Sequence, residues 1–146
     1  MKGNKMEKDT TYYMEIEESM NTLAQRCYEA NLTGGWHHDL NTNEYIDFDK
    51  SFWEKISLVH SECSEAVEHF RKGGVTRPDD KLVDESGVRT EICDAIIRLA
   101  GMLGQMDNDY QENGRSGYVL SKKMQFNANR ADHKVENRRK DGGKKS

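Results

Sequence analysis

Apolar residues recur at alternating spacings of three and four in three long stretches of the chain, the period of an amphipathic helix. The first stretch predicts a helix from about Tyr12 to Asn31, with Tyr13, Ile16, Met20, Leu23, Cys27 and Ala30 on one face. Gly34, Gly35 and a run of polar turn formers break the pattern, so "LTGGWHHDLNTNEYIDFD" reads as a loop, long between Leu40 and Asp49. Ser51 opens a second helix as a capping box with Glu54, and Gly73-Gly74 closes it. Its buried stripe is Phe52, Ile56, Val59, Cys63, Ala66/Val67 and Phe70. After a connection holding the only proline, a third helix runs from Gly87 to Met106 on Val88, Ile92, Ala95/Ile96, Leu99, Leu103 and Met106. A shorter, polar fourth helix spans Tyr118 to Arg130, and the tail "ADHKVENRRKDGGKKS" has no periodicity. Nothing alternates with the period of a strand and nothing repeats, so the fold class is all-α.

Composition adds a constraint on how such helices are covered. The chain has 146 residues, of which 34% are hydrophobic and 33% charged, with a mean hydropathy of -0.99. One domain is expected, with a core too thin for a lone monomer, so a helical bundle completed by self-association fits best. No apolar run reaches the length of a membrane span and "MKGNKMEKDT" lacks a signal-peptide core, which predicts a cytoplasmic protein and no membrane partner. Cys27, Cys63 and Cys93 fall in predicted helices without metal-site spacing and read as reduced core thiols. Residues 122–146 carry nine Lys/Arg against three Asp/Glu, +6, which leaves -10 on the rest of a chain whose net charge is -4. A basic tail sits on an acidic body.

The acids carry the chemistry. Glu62 and Glu65 in "SECSEAVEHF" lie about 60° apart at the edge of the second helix's stripe. Glu91 and Asp94 in "TEICDAIIR" repeat the spacing on the third. If the two stripes face each other, four carboxylates converge on one cleft, where they repel one another and lose hydration unless cations sit among them. Oxygen-only ligation suits Mg2+, with Mn2+ as a substitute. One E-x-x-E is close to noise; two pairs in the same register are more specific. A di-iron bundle would want E-x-x-H on two helices, which Glu62-Cys63-Ser64-Glu65 does not supply.

Basic groups name the guest. Lys123, Asn127 and Arg130 fall on one face of the fourth helix, and Lys72 and Arg98 could add charge at the rim. Cations beside divalent metals are the equipment of polyphosphate chemistry. Trp36 in "GGWHH" offers an indole for stacking on a nucleobase or a plug closing the bundle, with Asn31 and Trp53 as secondary candidates. Glu68 reads as solvated and His69 as an ordinary surface histidine.

Together "KISLVHSECSEAVEHFRKG", "GVRTEICDAIIRLAGMLG" and "KKMQFNANR...GGKK" resemble the MazG-like, all-α NTP pyrophosphatase family over most of residues 52–146. The resemblance implies a four-helix-bundle-type fold completed by oligomerisation, dimer or tetramer. It also implies hydrolysis of nucleoside triphosphates to monophosphate and pyrophosphate, with Mg2+ held by Glu62, Glu65, Glu91 and Asp94. Lys123, Asn127 and Arg130 become phosphate contacts, and Gly142, Gly143 and Lys144 the family's terminal Gly-Gly-Lys. Residues 1–130 are then the catalytic domain and 131–146 a basic flexible tail of the same functional unit. A dUTPase-like or phosphoribosyl-ATP pyrophosphatase specificity uses the same metal cage. From a different class, a helical module gripping nucleic acid through the tail is disfavoured, because the tail beyond Arg130 has interspersed acids and no aromatic residue.

Overall fold

The computed structural model describes residues 5–130 and 134–139, the first five of them as backbone only. These residues form α1 (Lys5–Thr33), α2 (Phe48–Gly73), α3 (Gly87–Asp109), α4 (Arg115–Asn129) and the single turn α5 (Val135–Arg138). The all-α expectation holds: no strand occurs among the described residues, only two isolated bridges, His38 with Tyr45 and Pro78 with Ser86. No described helix is long and apolar enough to cross a membrane.

Helices α1, α2 and α4 begin earlier than the apolar pattern indicates, whereas α3 begins at Gly87 as expected. Ser51 does not cap α2. Asp47 does, its side chain accepting from the Lys50 amide, while Ser51 is buried and its Oγ donates to the Asp47 carbonyl at 3.0 Å. Ser86 caps α3 by accepting from Arg89 N. At the end of α1 the chain turns sharply, with Gly35 at φ 78, a conformation that costs glycine little.

Two compact units share the chain. One is Leu23–Glu112, holding the end of α1, all of α2 and α3, and their connections. Its core is Phe48, Val59, Ala95 and Met102, with Phe52, Ile56 and Met106 packed against it. Gly104 lets α3 approach the backbone of α1 closely, since a Cβ there would collide with the Ala24 carbonyl. The other unit joins Met1–Thr22 to Asn113–Ser146. There Gly117 does the same against the Glu17 carbonyl, and its amide donates to Asn21 Oδ1 at 2.7 Å.

The buried faces differ from the expected stripes. On α3 the buried positions are Gly87, Glu91, Ala95, Ala100, Gly101, Met102, Gly104, Gln105 and Asp107, whereas Ile92, Ile96 and Leu99 are 50%, 46% and 42% exposed. On α2 Val67, Phe70 and Cys63 are likewise exposed, and of the three cysteines only Cys27 is buried. Apolar residues cover so much of each circumference that period alone does not select a face. Small residues do, because Ala95, Gly101 and Gly104 permit the closest packing.

Candidate active site

Helix pairing brings the acids together. Glu62 on α2 and Glu91 on α3 are both 7% exposed, and with the exposed Glu65 they place one carboxylate oxygen each within 4.8 Å of one another. Burial pushes the Glu91 carboxyl above its ordinary range, reinforced by the charge of Glu65, the Glu62 carboxyl beside it and the charge of Asp94. Like charges are thus concentrated where water is scarce, the condition that a divalent cation relieves. The all-oxygen donor set fits Mg2+ or Mn2+. Asp94 is half-buried and stands outside the triangle, close enough to act on Glu91.

A cation of the protein's own already faces this cluster. Arg98, one turn beyond Asp94, donates from Nε to Glu62 Oε1 at 2.7 Å. Lys72, expected at the rim, instead pairs with Glu68 at 3.0 Å, and Arg71 joins them, so Glu68 is a surface acid. His69 is not a surface residue. Its side chain is 12% exposed, packs against Gly87 and holds Nε2 3.6 Å from Glu91 Oε1. Asp79, absent from the sequence expectations, is buried near both, its Oδ1 accepting from Lys81 N and Leu82 N.

From Asp94 and Arg98 a cavity of about 280 Å3 runs to Asn31, Trp36, His37 and Lys55. Trp36 lines it while remaining 70% exposed, which removes the plug alternative. Asn31 lies against Gly101, where any Cβ would strike its amide. Trp53 is exposed and stands apart from this lining. The far wall is a polar network that sequence reasoning missed. Lys55 Nζ sits 2.8 Å from His37 Nδ1 and also donates to Gln105 Oε1. Gln105 Nε2 in turn donates to the Ile46 carbonyl at 3.0 Å. Asp109 ties the loop down by accepting from Tyr45 Oη at 2.6 Å and Phe48 N at 2.8 Å. Lys55 and Gln105, polar residues within apolar stretches, were the available signal.

Lys123, Asn127 and Arg130 belong to the other unit. Lys123 Nζ and Arg130 Cζ flank the Phe126 ring at 5.2 and 5.9 Å, so they share a face as expected, and Asn127 Oδ1 is buried without a hydrogen-bond partner among the described residues. Gly142, Gly143 and Lys144 lie outside the described residues, as does most of the tail. Comparison with protein-family models, with curated proteins and with solved structures finds no match.

Proposed function

We propose that the protein hydrolyses nucleoside or deoxynucleoside triphosphates to the monophosphate and pyrophosphate in a Mg2+-dependent reaction, controlling or cleansing the nucleotide pool. One observation carries this: the Glu62, Glu65 and Glu91 triangle is neighboured by Asp94 and Arg98, and those two residues line a cavity of a size for a small organic group. Glu62, Glu65, Glu91 and Asp94 would hold Mg2+, or Mn2+, which when bound polarises the triphosphate and lowers the pKa of an attacking water. Glu65, the exposed member, would be the carboxylate to serve instead as general base. Arg98 pairs with Glu62 and lines the cavity, and would be a cation for the negative charge of the departing pyrophosphate. Lys123, Asn127, Arg130 and Lys144 complete the phosphate contacts on the strength of the family resemblance alone.

The same proposal includes a four-helix-bundle-type fold, a cytoplasmic setting and assembly as a dimer or tetramer. The exposed Ile92, Ile96 and Leu99 on α3 support assembly, because a contiguous apolar face on a helix is ordinarily covered. Pyrophosphate release from a panel of triphosphates with and without Mg2+ tests the activity. Release confined to dUTP or to phosphoribosyl-ATP would narrow it to those specificities. No release from any, together with salt-sensitive RNA or DNA binding, would replace it with the nucleic-acid module.

A further inference from the structure

His69, Asp79 and Glu91 come from three parts of the chain, the end of α2, the connection after it and the start of α3, and converge on one place. Each offers a ligand atom within 4.8 Å of the other two. Asp79 and Glu91 are 5% and 7% exposed. The imidazole has only one nitrogen to give. Nδ1 is enclosed against Gly87 without a hydrogen-bond partner among the described residues, whereas Nε2 retains accessible surface and faces Glu91 Oε1 at 3.6 Å. That separation is too long for an N–H···O bond, which spans about 2.7–3.2 Å. It matches a shared ion, since two ligands at about 2.1 Å on a tetrahedral metal stand about 3.4 Å apart. Asp79 is held for the purpose by two amides, Lys81 N and Leu82 N, both donating to its Oδ1. Two carboxylates in so enclosed a place need two positive charges, and an imidazolium would supply one.

We infer that His69, Asp79 and Glu91 form a zinc site, separate from the all-oxygen cluster of Glu62, Glu65 and Asp94 and meeting it only at Glu91. An imidazole among the ligands departs from the oxygen set that suits Mg2+ and favours zinc, which takes three protein ligands and leaves a fourth position to water. The connection between α2 and α3 is already folded toward this arrangement. Asp79 N donates to the Glu85 carbonyl at 2.8 Å and Gly87 N to the Arg77 carbonyl at 2.9 Å, so the segment closes on itself with the Asp79 carboxylate at the two helices. A bound ion would fasten that segment to α2 through His69 and to α3 through Glu91. The site stands whether or not the protein hydrolyses triphosphates.

Zn2+ binding to the full-length protein tests this without turnover. Calorimetry should show Zn2+ bound by the unaltered protein and held more than about a hundredfold more weakly by His69→Gln or Asp79→Asn, because losing an outer partner alone costs about 10–100-fold. Asp79→Asn keeps an oxygen for the two amides and loses the charge. Glu65→Gln, in the oxygen cluster but outside this site, should weaken Zn2+ by less than about tenfold, the scale of an exposed charge. Replacing the exposed thiols together, Cys63→Ser with Cys93→Ser, should leave Zn2+ affinity unchanged. In long-range 1H–15N spectra of the unaltered, histidine-labelled protein, Zn2+ should move His69 Nε2 while the ring proton stays on Nδ1, which decides the matter even if a variant misfolds. No Zn2+ binding, equal binding by His69→Gln, loss of binding with the two cysteines, or a His69 Nε2 that does not respond would each overturn the inference and leave His69 and Glu91 as a plain ion pair.

Discussion

The two ends of the paired helices α2 and α3 are built on opposite principles. At the acid end, carboxylates crowd together with one arginine among them, and the charge of Glu91 is uncomfortable enough to raise its pKa. At the opposite end, Lys55, His37, Gln105, Tyr45 and Asp109 form a chain in which nearly every polar group is answered by another. One end keeps electrostatic tension for a ligand to relieve. The other is rigid and leaves His37 Nε2 without a hydrogen-bond partner among the described residues.

The largest effect should come from the tense end. Glu62→Gln, Glu91→Gln or Asp94→Asn should lower pyrophosphate release by more than about a hundredfold, beyond what losing an outer-shell partner costs a metal site. Near-normal Mg2+-dependent turnover in any of the three would dissolve the contrast between the ends.

Next in size is the acid sensitivity of the rigid end. The fold holds His37 down to about 4, whereas an unfolded chain protonates it near 6.5. Its contribution is complete above about pH 6.5 and lost as pH falls toward about 4, a loss on the order of 3 kcal/mol. Urea unfolding of the wild type between pH 7 and 4 should therefore lose stability faster than His37→Phe does. Parallel curves would mean that the ring is protonated without penalty.

Gly104→Ala should cost about 1–3 kcal/mol, because a Cβ would meet the Ala24 carbonyl and force α1 away from α3. Thermal unfolding reads this directly, and an unchanged Tm would show that α1 yields easily at that point.

The smallest effect is the sharpest test of the acid end. Metal-free Glu91→Gln should gain about 1 kcal/mol near neutral pH by removing a charge that its neighbours repel, whereas Glu62→Gln should gain nothing, because Arg98 loses its partner. Equal shifts in the two variants would mean that Arg98 does not distinguish them.

Helix period explains which end could be read from sequence. Glu62 and Glu65, like Glu91 and Asp94, are three residues apart on one helix, so their convergence needs only that α2 and α3 pair. The opposite end depends on contacts between residues far apart in the chain, such as Lys55 with Gln105 and Tyr45 with Asp109, which no local spacing announces. Trp36 and Asn31 were found through chemistry, while His37 beside them was passed over. The misplaced stripes have a related cause: Ile92, Ile96 and Leu99 satisfy the helical period as well as Glu91, Ala95 and Met102 do, and only the close approach at small residues decides between the two faces. The cap of α2 departs from the Ser51 expectation because Asp47 supplies the oxygen that reaches a free amide.

The loop that carries His37 is fastened at its base and open at its tip. His38 bridges Tyr45, and Ile46 N donates to the His37 carbonyl at 2.8 Å, so the backbone at His37 is secured before the chain reaches the turn at Asp39 to Asn43. Asp109 secures the far side through Tyr45 and Phe48. Leu40, at the tip, is 93% exposed. Residues inserted between Asn41 and Thr42 would lengthen the tip while leaving the fastening intact. The segment is therefore a natural place for length variation between descendants of this chain, and a practical one for grafting a fluorophore or an affinity peptide within reach of the cavity without displacing the histidine.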